Sequence, residues 1–322
     1  MPSHLQFNPH IRTGYRQITN LKGCIRSLFY IHNETVNTFT HGESFYFIFH
    51  KFCLVPFILL FPYIQNQCSC SWACLAILHI LLTIPGLLPW EKGIFFGFIS
   101  WCHLIGAVSP WIGSFIYHLF MNLNYGEKFY RGLLKLDMLG IWVCQSIARP
   151  RNKRVLILGA LPMIATSVHC LTPILWYSTM LLYVFLSIWG FSAMKAKSPW
   201  ERRLCFAPPF MMRMIFLTLR CFHLTGGDPD NLTHIVLQDL VAVIGGAIGA
   251  LRIPEKWLPG QVDFIFNSHN IMHVVVICAV WSMHAATIRD IKWMMNPDVC
   301  LDTSNTSNSS YSSSPAFIHD EL

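Results

Sequence analysis

The stretch SHNIMHVVVICAVW, Ser268 to Trp281, sets two imidazoles, His269 and His273, four residues apart at the mouth of an apolar run. A helix through it carries both rings on one face at the boundary of a membrane. A polar ring in lipid is costly without a partner, so the pair has two readings. Either the rings ligate a metal, or they hydrogen-bond neighbouring helices.

Composition supports the membrane reading by itself. The chain is 53% hydrophobic and 12% charged, with a mean hydropathy of +0.44. A soluble domain carries about 25% charged residues, so half of the usual water-facing charge is missing. Apolar runs near 44–64, 72–90, 94–122, 133–148, 155–170, 173–194, 207–224, 234–251 and 269–288 approach spanning length. Two are short, and 72–90 carries Pro85 and Pro89, so about seven spans are expected at roughly 20 residues each. The first 40 residues lack an unbroken apolar stretch, which argues against a cleaved signal peptide.

Basic residues set the orientation. A cytosolic N-terminus puts Arg12, Arg16, Lys22 and Arg26 inside, then Lys128, Arg131 and Lys135, then Lys195, Lys197, Arg202 and Arg203, and finally Arg252 and Lys256. That majority obeys the positive-inside rule. The loop GGDPDNLTH then faces the lumen or exterior, with a glycosylation sequon at Asn231, and the tail adds Asn305 and Asn308 on the same side. The sequon at Asn33 is left cytosolic. The net charge of +7 thus belongs to cytosolic loops, and no basic stripe with interleaved aromatics suggests nucleic acid.

Of the twelve cysteines, most lie in apolar runs and read as small hydrophobes. Cys68, Cys70 and Cys74 cluster in a segment expected on the oxidising side, which leaves room for one disulfide there. The Ser-, Thr- and Asn-rich stretch from Asp302 to Ser314 has little to bury and is expected to be disordered. The organisation expected is a cytosolic segment 1–43, a membrane domain 44–288 and a lumenal tail 289–322, with insertions near 65–92 and 149–156.

Two histidines are too few for catalytic zinc, which takes three protein ligands and keeps a fourth position open. Most of His50, His79, His103, His169, His223 and His284 read as core or interface residues. His118, in SFIYHLF, ends the 94–122 run at the same cytosolic depth as His269. Ser114 shares its helix face and reads either as a hydrogen-bond donor at the site or as a small packing residue. Asp137, in KLDMLG, reads as a general base or as half of an ion pair. Glu34, Asn37 and His41 share one helix face and read first as a polar network pinning that segment to the bundle. Gly245 and Gly249 form a GxxxG, which marks a close helix contact.

In order along the chain, GYR (Gly14–Arg16), CIRSLFYIHNETVNTFTH (Cys24–His41), SFIYH (Ser114–His118), LDMLG with Asp137, and IPEKWLPGQVDFIFNSHNIMH (Ile253–His273) resemble the progestin and adipoQ receptor family. The resemblance runs from His4 to about Ile288. It implies an all-α polytopic fold, a seven-transmembrane helix bundle with a cytosolic N-terminus. It also implies Zn²⁺ held by His118, His269 and His273, with Ser114 and Asp137 nearby. Some members of the family resemble amidohydrolases that cleave ceramide. The hypothesis that follows is hydrolysis of a ceramide amide, with Ser114 at the developing oxyanion and Asp137 as proton carrier. The alternatives are a receptor for a lipid or hormone with structural zinc, and a scaffold for lipid-metabolising enzymes. The tetrapeptide HDEL, His319–Leu322, points to ER or early Golgi membranes over the plasma membrane.

Overall fold

Among the described residues, four helices are long and apolar enough to cross a membrane, within Ile94–Phe120, Pro173–Gly190, Pro229–Leu251 and Ser268–Met294. They come from a computed structural model that describes residues 2–6, 8–35, 37, 82, 84–145, 160–190, 192, 195 and 198–300. In chain order its α-helices are α1 (Leu21–Arg26), α2 (Ile94–Phe120), α3 (Gly126–Gln145), α4 (Leu161–Ser167), α5 (Pro173–Gly190), α6 (Pro199–Cys205), α7 (Ala207–Cys221), α8 (Leu232–Leu251) and α9 (Ser268–Met294). No strand occurs among the described residues, and a single bridge joins Thr19 to Leu123. The all-α expectation holds in them.

Helices α2, α5, α7, α8 and α9 coincide with apolar runs to within a turn or so. The runs at 133–148 and 155–170 differ: α3 starts earlier, at Gly126, and α4 is only seven residues long. Outside the described residues lie the run at 44–64, most of 65–92, the basic segment at 149–156, Cys68, Cys70, Cys74, His41, and the tail with Asn305, Asn308 and HDEL.

Two close helix approaches shape the bundle. A Cβ on Gly113 of α2 would sit 2.8 Å from the Leu136 carbonyl oxygen, and one on Gly140 of α3 would sit 2.5 Å from that of Ser109. Only hydrogen fits at these crossings, so α2 and α3 meet backbone to backbone. The Ser109 hydroxyl completes the crossing by donating to the Gly140 carbonyl at 3.1 Å. In the second approach Gly245 and Gly249 of α8 face Val275 and Met272 of α9, which realises the GxxxG contact. Helices α2 and α9 run antiparallel, since His118 neighbours His269 at one end while His103 neighbours His284 further along.

Away from the histidine end, Cys102, Leu161, Ile164, Val168, Tyr183 and Phe216 form an apolar core between α2, α4, α5 and α7. A disulfide links Cys170, after α4, to Cys300, beyond α9, with Cα atoms 5.1 Å apart. Close by, Arg220 donates to both Asp290 oxygens, at 2.7 and 2.6 Å, and to the Asp228 carbonyl at 2.8 Å.

Asn231 corrects the sequon reading. Its side chain is fully buried, and its amide nitrogen, the atom a glycan would need, donates to the Ala286 carbonyl at 2.7 Å and to Asp290 at 2.9 Å. Asn231→Gln is therefore expected to leave glycan-dependent gel mobility unchanged and to lower the melting temperature. Gly140→Ala should cost about 1–3 kcal/mol by overpacking, read as a lower melting temperature in detergent.

Candidate metal centre

The last turn of α2 delivers His118 and the first two turns of α9 deliver His269 and His273. Nε2 of His269 lies 3.4 Å from Nε2 of His118 and 3.2 Å from Nε2 of His273. The three ligand atoms fall within 4.8 Å of one another. Two imidazole nitrogens bound tetrahedrally at zinc-like lengths would stand about 3.3 Å apart. The donor set therefore fits a transition-metal ion, and among the described residues it is the one such group of three.

The start of α9 is capped by the Asn267 side chain, which accepts from the Asn270 backbone N–H. Met272 and Val275 pack on the α8 glycines, and that contact holds the helix that carries the two histidines.

Behind His118 lies a carboxylate. His118 Nδ1 donates to Glu34 Oε2 at 2.8 Å, and both side chains are almost wholly buried. A carboxylate can only accept, so the proton sits on Nδ1 and the Nε2 lone pair turns to the cluster. Asn37 donates to Glu34 Oε2 at 2.8 Å and Asn33 to Oε1 at 3.3 Å. Asn270 of α9 donates to Asn37 at 2.7 Å, which ties this group to the helix carrying the other two histidines.

The segment bearing Glu34 is pinned at several points. Arg16, 2% exposed, donates to the His118 carbonyl at 2.7 Å, to Asn122 Oδ1 at 3.1 and 2.9 Å, and to Ser27 at 2.9 Å. Asp263 accepts from the backbone N–H groups of Arg12 and Thr13 and from the Thr13 hydroxyl. Glu255 accepts from Asn8 at 2.9 Å and from the Ser268 N–H at 2.6 Å, and also bonds the Ser268 hydroxyl. Gly14, at φ +75°, lies under the Phe264 ring, where a Cβ would fall 2.5 Å from the nearest ring carbon.

Asp137 of α3 hydrogen-bonds Ser114 of α2 and lies near enough to His118 to interact with it electrostatically. The Gly113 crossing brings this carboxylate to the site, because a Cβ there would come within 3.2 Å of the Asp137 Cα. Ser114, Asp137, His269 and His273 line one end of a cavity of about 230 Å³. Its walls continue through Met163, Ile235, Met272, Val276 and Val280, and its far end reaches Thr287 and Asp290. Arg213 and Gln238 add polar groups along the way, and Arg213 is ion-paired with Asp239.

All five expected site residues thus gather at one end of the bundle. Glu34 and Asn37 form the polar network expected of that face. What the sequence reading missed is that the network ends on His118 of the histidine cluster, and that Arg16, Asn122 and Asn270 complete it. Among the other histidines, His103 Nε2 and His284 Nδ1 lie 2.7 Å apart with stacked rings, and His169 lies edge-on to Trp293. His50 and His79 lie outside the described residues.

A family model described as Haemolysin-III related matches residues 29–284. The chain is 32% identical over 293 residues to "Progestin and adipoQ receptor family member 4" of Homo sapiens, with 91% of each chain covered, and equally so to the Mus musculus protein of that name. It is 24% identical over 310 residues to "Adiponectin receptor protein" of Drosophila melanogaster, covering 87% of this chain and 56% of that one.

His32, beside Glu34, gives the polar segment a pH dependence. Its Nδ1 accepts the Glu34 N–H at 3.1 Å while Nε2 faces the Ser27 carbonyl at 3.2 Å. Burial, with the Arg16 charge second, lowers its pKa from 6.5 to about 4. Between those values the unfolded chain takes up a proton that the folded chain refuses, so stability falls as pH drops from 6.5 toward 4. Melting temperatures of wild type and His32→Gln, compared at pH 7.5 and 4.5, should show a smaller acid-dependent loss in the variant.

Proposed function

The chain belongs to the haemolysin-III-related, progestin and adipoQ receptor family, an integral membrane family, and from this we propose a seven-span zinc hydrolase of ceramide or a related lipid amide. The observation that carries the proposal is the three-imidazole cluster, with Asp137 beside it, opening into a largely apolar cavity. Lipid amides need such a combination of a polar reacting end and an apolar channel.

In this reading α2, α3 together with α4, α5, α7, α8 and α9 make up six of the seven spans. The N-terminus is cytosolic, and the Cys170–Cys300 bond lies on the oxidising side.

Zinc held by His118, His269 and His273 would supply a Lewis acid and a water acidic enough to attack at neutral pH. The chain's own groups do the rest. Asp137 takes a proton from the attacking water on a carboxylate oxygen and returns it to the leaving nitrogen. An ionised carboxylate only accepts, so Ser114 donates its hydroxyl proton to Asp137 and orients it. This assigns Ser114 to the base rather than to the oxyanion. The walls around Met163, Ile235 and Val276 hold the acyl chain and exclude bulk water.

Purified wild type should contain close to one zinc per chain and hydrolyse ceramide, and His273→Ala should lose both. Asp137→Asn should keep zinc and lose about 10²–10⁴ in kcat. Zinc without turnover in wild type would overturn the hydrolase reading and leave the cavity as the ligand site of a receptor.

A further inference from the structure

We infer that Glu34 is a positioning residue of the metal centre, and that the N-terminal segment carrying it is part of that centre, so that metal binding and docking of this segment are coupled. The inference rests on reading the three-histidine cluster as a metal site. It goes beyond that reading by assigning a role to a part of the chain that supplies no ligand.

Three observations support it. The first is the contact between Glu34 and His118, which is buried on both sides and aimed at the ring nitrogen that faces away from the cluster. A metal-bound imidazole needs its other nitrogen protonated and directed, and a carboxylate there fixes tautomer and ring angle together while raising ligand basicity. The second is that Glu34 is itself held in place: Asn33 and Asn37 donate to it, and Asn37 accepts from Asn270, between the two α9 histidines. The carboxylate is thus registered to α2 and α9 at once. The third is Arg16, whose guanidinium grips the backbone carbonyl of His118 while its own carbonyl accepts from Asn122 at 2.7 Å. The segment therefore holds His118 by its ring and by its main chain.

A purely packing role for Glu34 would contribute stability and leave metal affinity alone. A positioning role predicts the reverse emphasis. Because coupling is reciprocal, an ion that binds better to the docked segment must also hold that segment down.

The test uses the full chain in detergent, with Co²⁺ as an optical probe and Zn²⁺ competed against a chelator. Glu34→Gln keeps shape and an acceptor oxygen but loses the charge, and Glu34→Ala removes the contact. Zinc affinity should fall about tenfold in the first and toward 100-fold in the second, the range seen for partners of ligating histidines. The Co²⁺ visible bands should shift in Glu34→Gln. Hydrogen exchange of backbone amides in residues 8–35 should slow on adding metal to wild type and respond less in Glu34→Ala. Wild-type affinity and spectrum in both variants would overturn the inference while leaving the metal centre intact. If Glu34→Ala fails to fold, Glu34→Gln alone decides the matter. Absence of any metal uptake by wild type would instead overturn the metal reading itself, and this inference with it.

Discussion

A charged or polar side chain buried at this end of the bundle needs partners, because lipid and apolar side chains offer none and an orphaned charge there costs several kcal/mol. That requirement organises the site. His118 cannot turn one nitrogen to the cluster unless something receives the other, and Glu34 does. Glu34 cannot be buried beside an imidazole unless its oxygens are occupied, so Asn33 and Asn37 donate to it. Arg16 is buried in turn because the His118 carbonyl, Asn122 and Ser27 absorb its donors. The chain of partners ends at the N-terminal segment, which becomes a wall of the site.

The glycine crossings serve the same end by geometry. Three histidines from two helices and a carboxylate from a third can share one small volume only if the helices approach closely. Gly113 and Gly140 remove the side chains that would hold α3 away from α2, while Gly245 and Gly249 let α8 pack closely on the helix that bears His269 and His273. Further along, the helices part enough to leave the cavity. Tight packing near the three histidines and a void beyond them are two results of one arrangement.

Much of this was legible in the residues. Long apolar runs located five helices because hydrophobicity over 15 or more residues is a strong signal and needs no tertiary information. The i, i+4 spacing of His269 and His273 gave a shared face, and His118 followed by matching depth. The failures share a cause, which is that the deciding contact lies far away in sequence. Asn231 reads as a sequon because the motif is local, whereas the Ala286 carbonyl and Asp290 that bury it lie on α9. Cys170 and Cys300 are separated by 130 residues, and nothing in either neighbourhood marks the other. Glu34 shows its helix face in the sequence but not the imidazole, 84 residues away, that uses it.

Those separations bear on the order in which the protein is assembled. Asn8 waits for Glu255, 247 residues later, and the Arg12 and Thr13 backbone groups wait for Asp263, about as far on. During synthesis the segment emerges first; Arg16 can meet the end of α2 once that helix is made, but the Glu255 and Asp263 contacts wait for the loop between α8 and α9. Contacts of such high sequence separation form late. The histidine cluster, shared between α2 and α9, is completed at the same stage. The segment made first is therefore completed only late, and nascent chains stalled before α9 should present a partly anchored, polar N-terminal arm to chaperones and proteases.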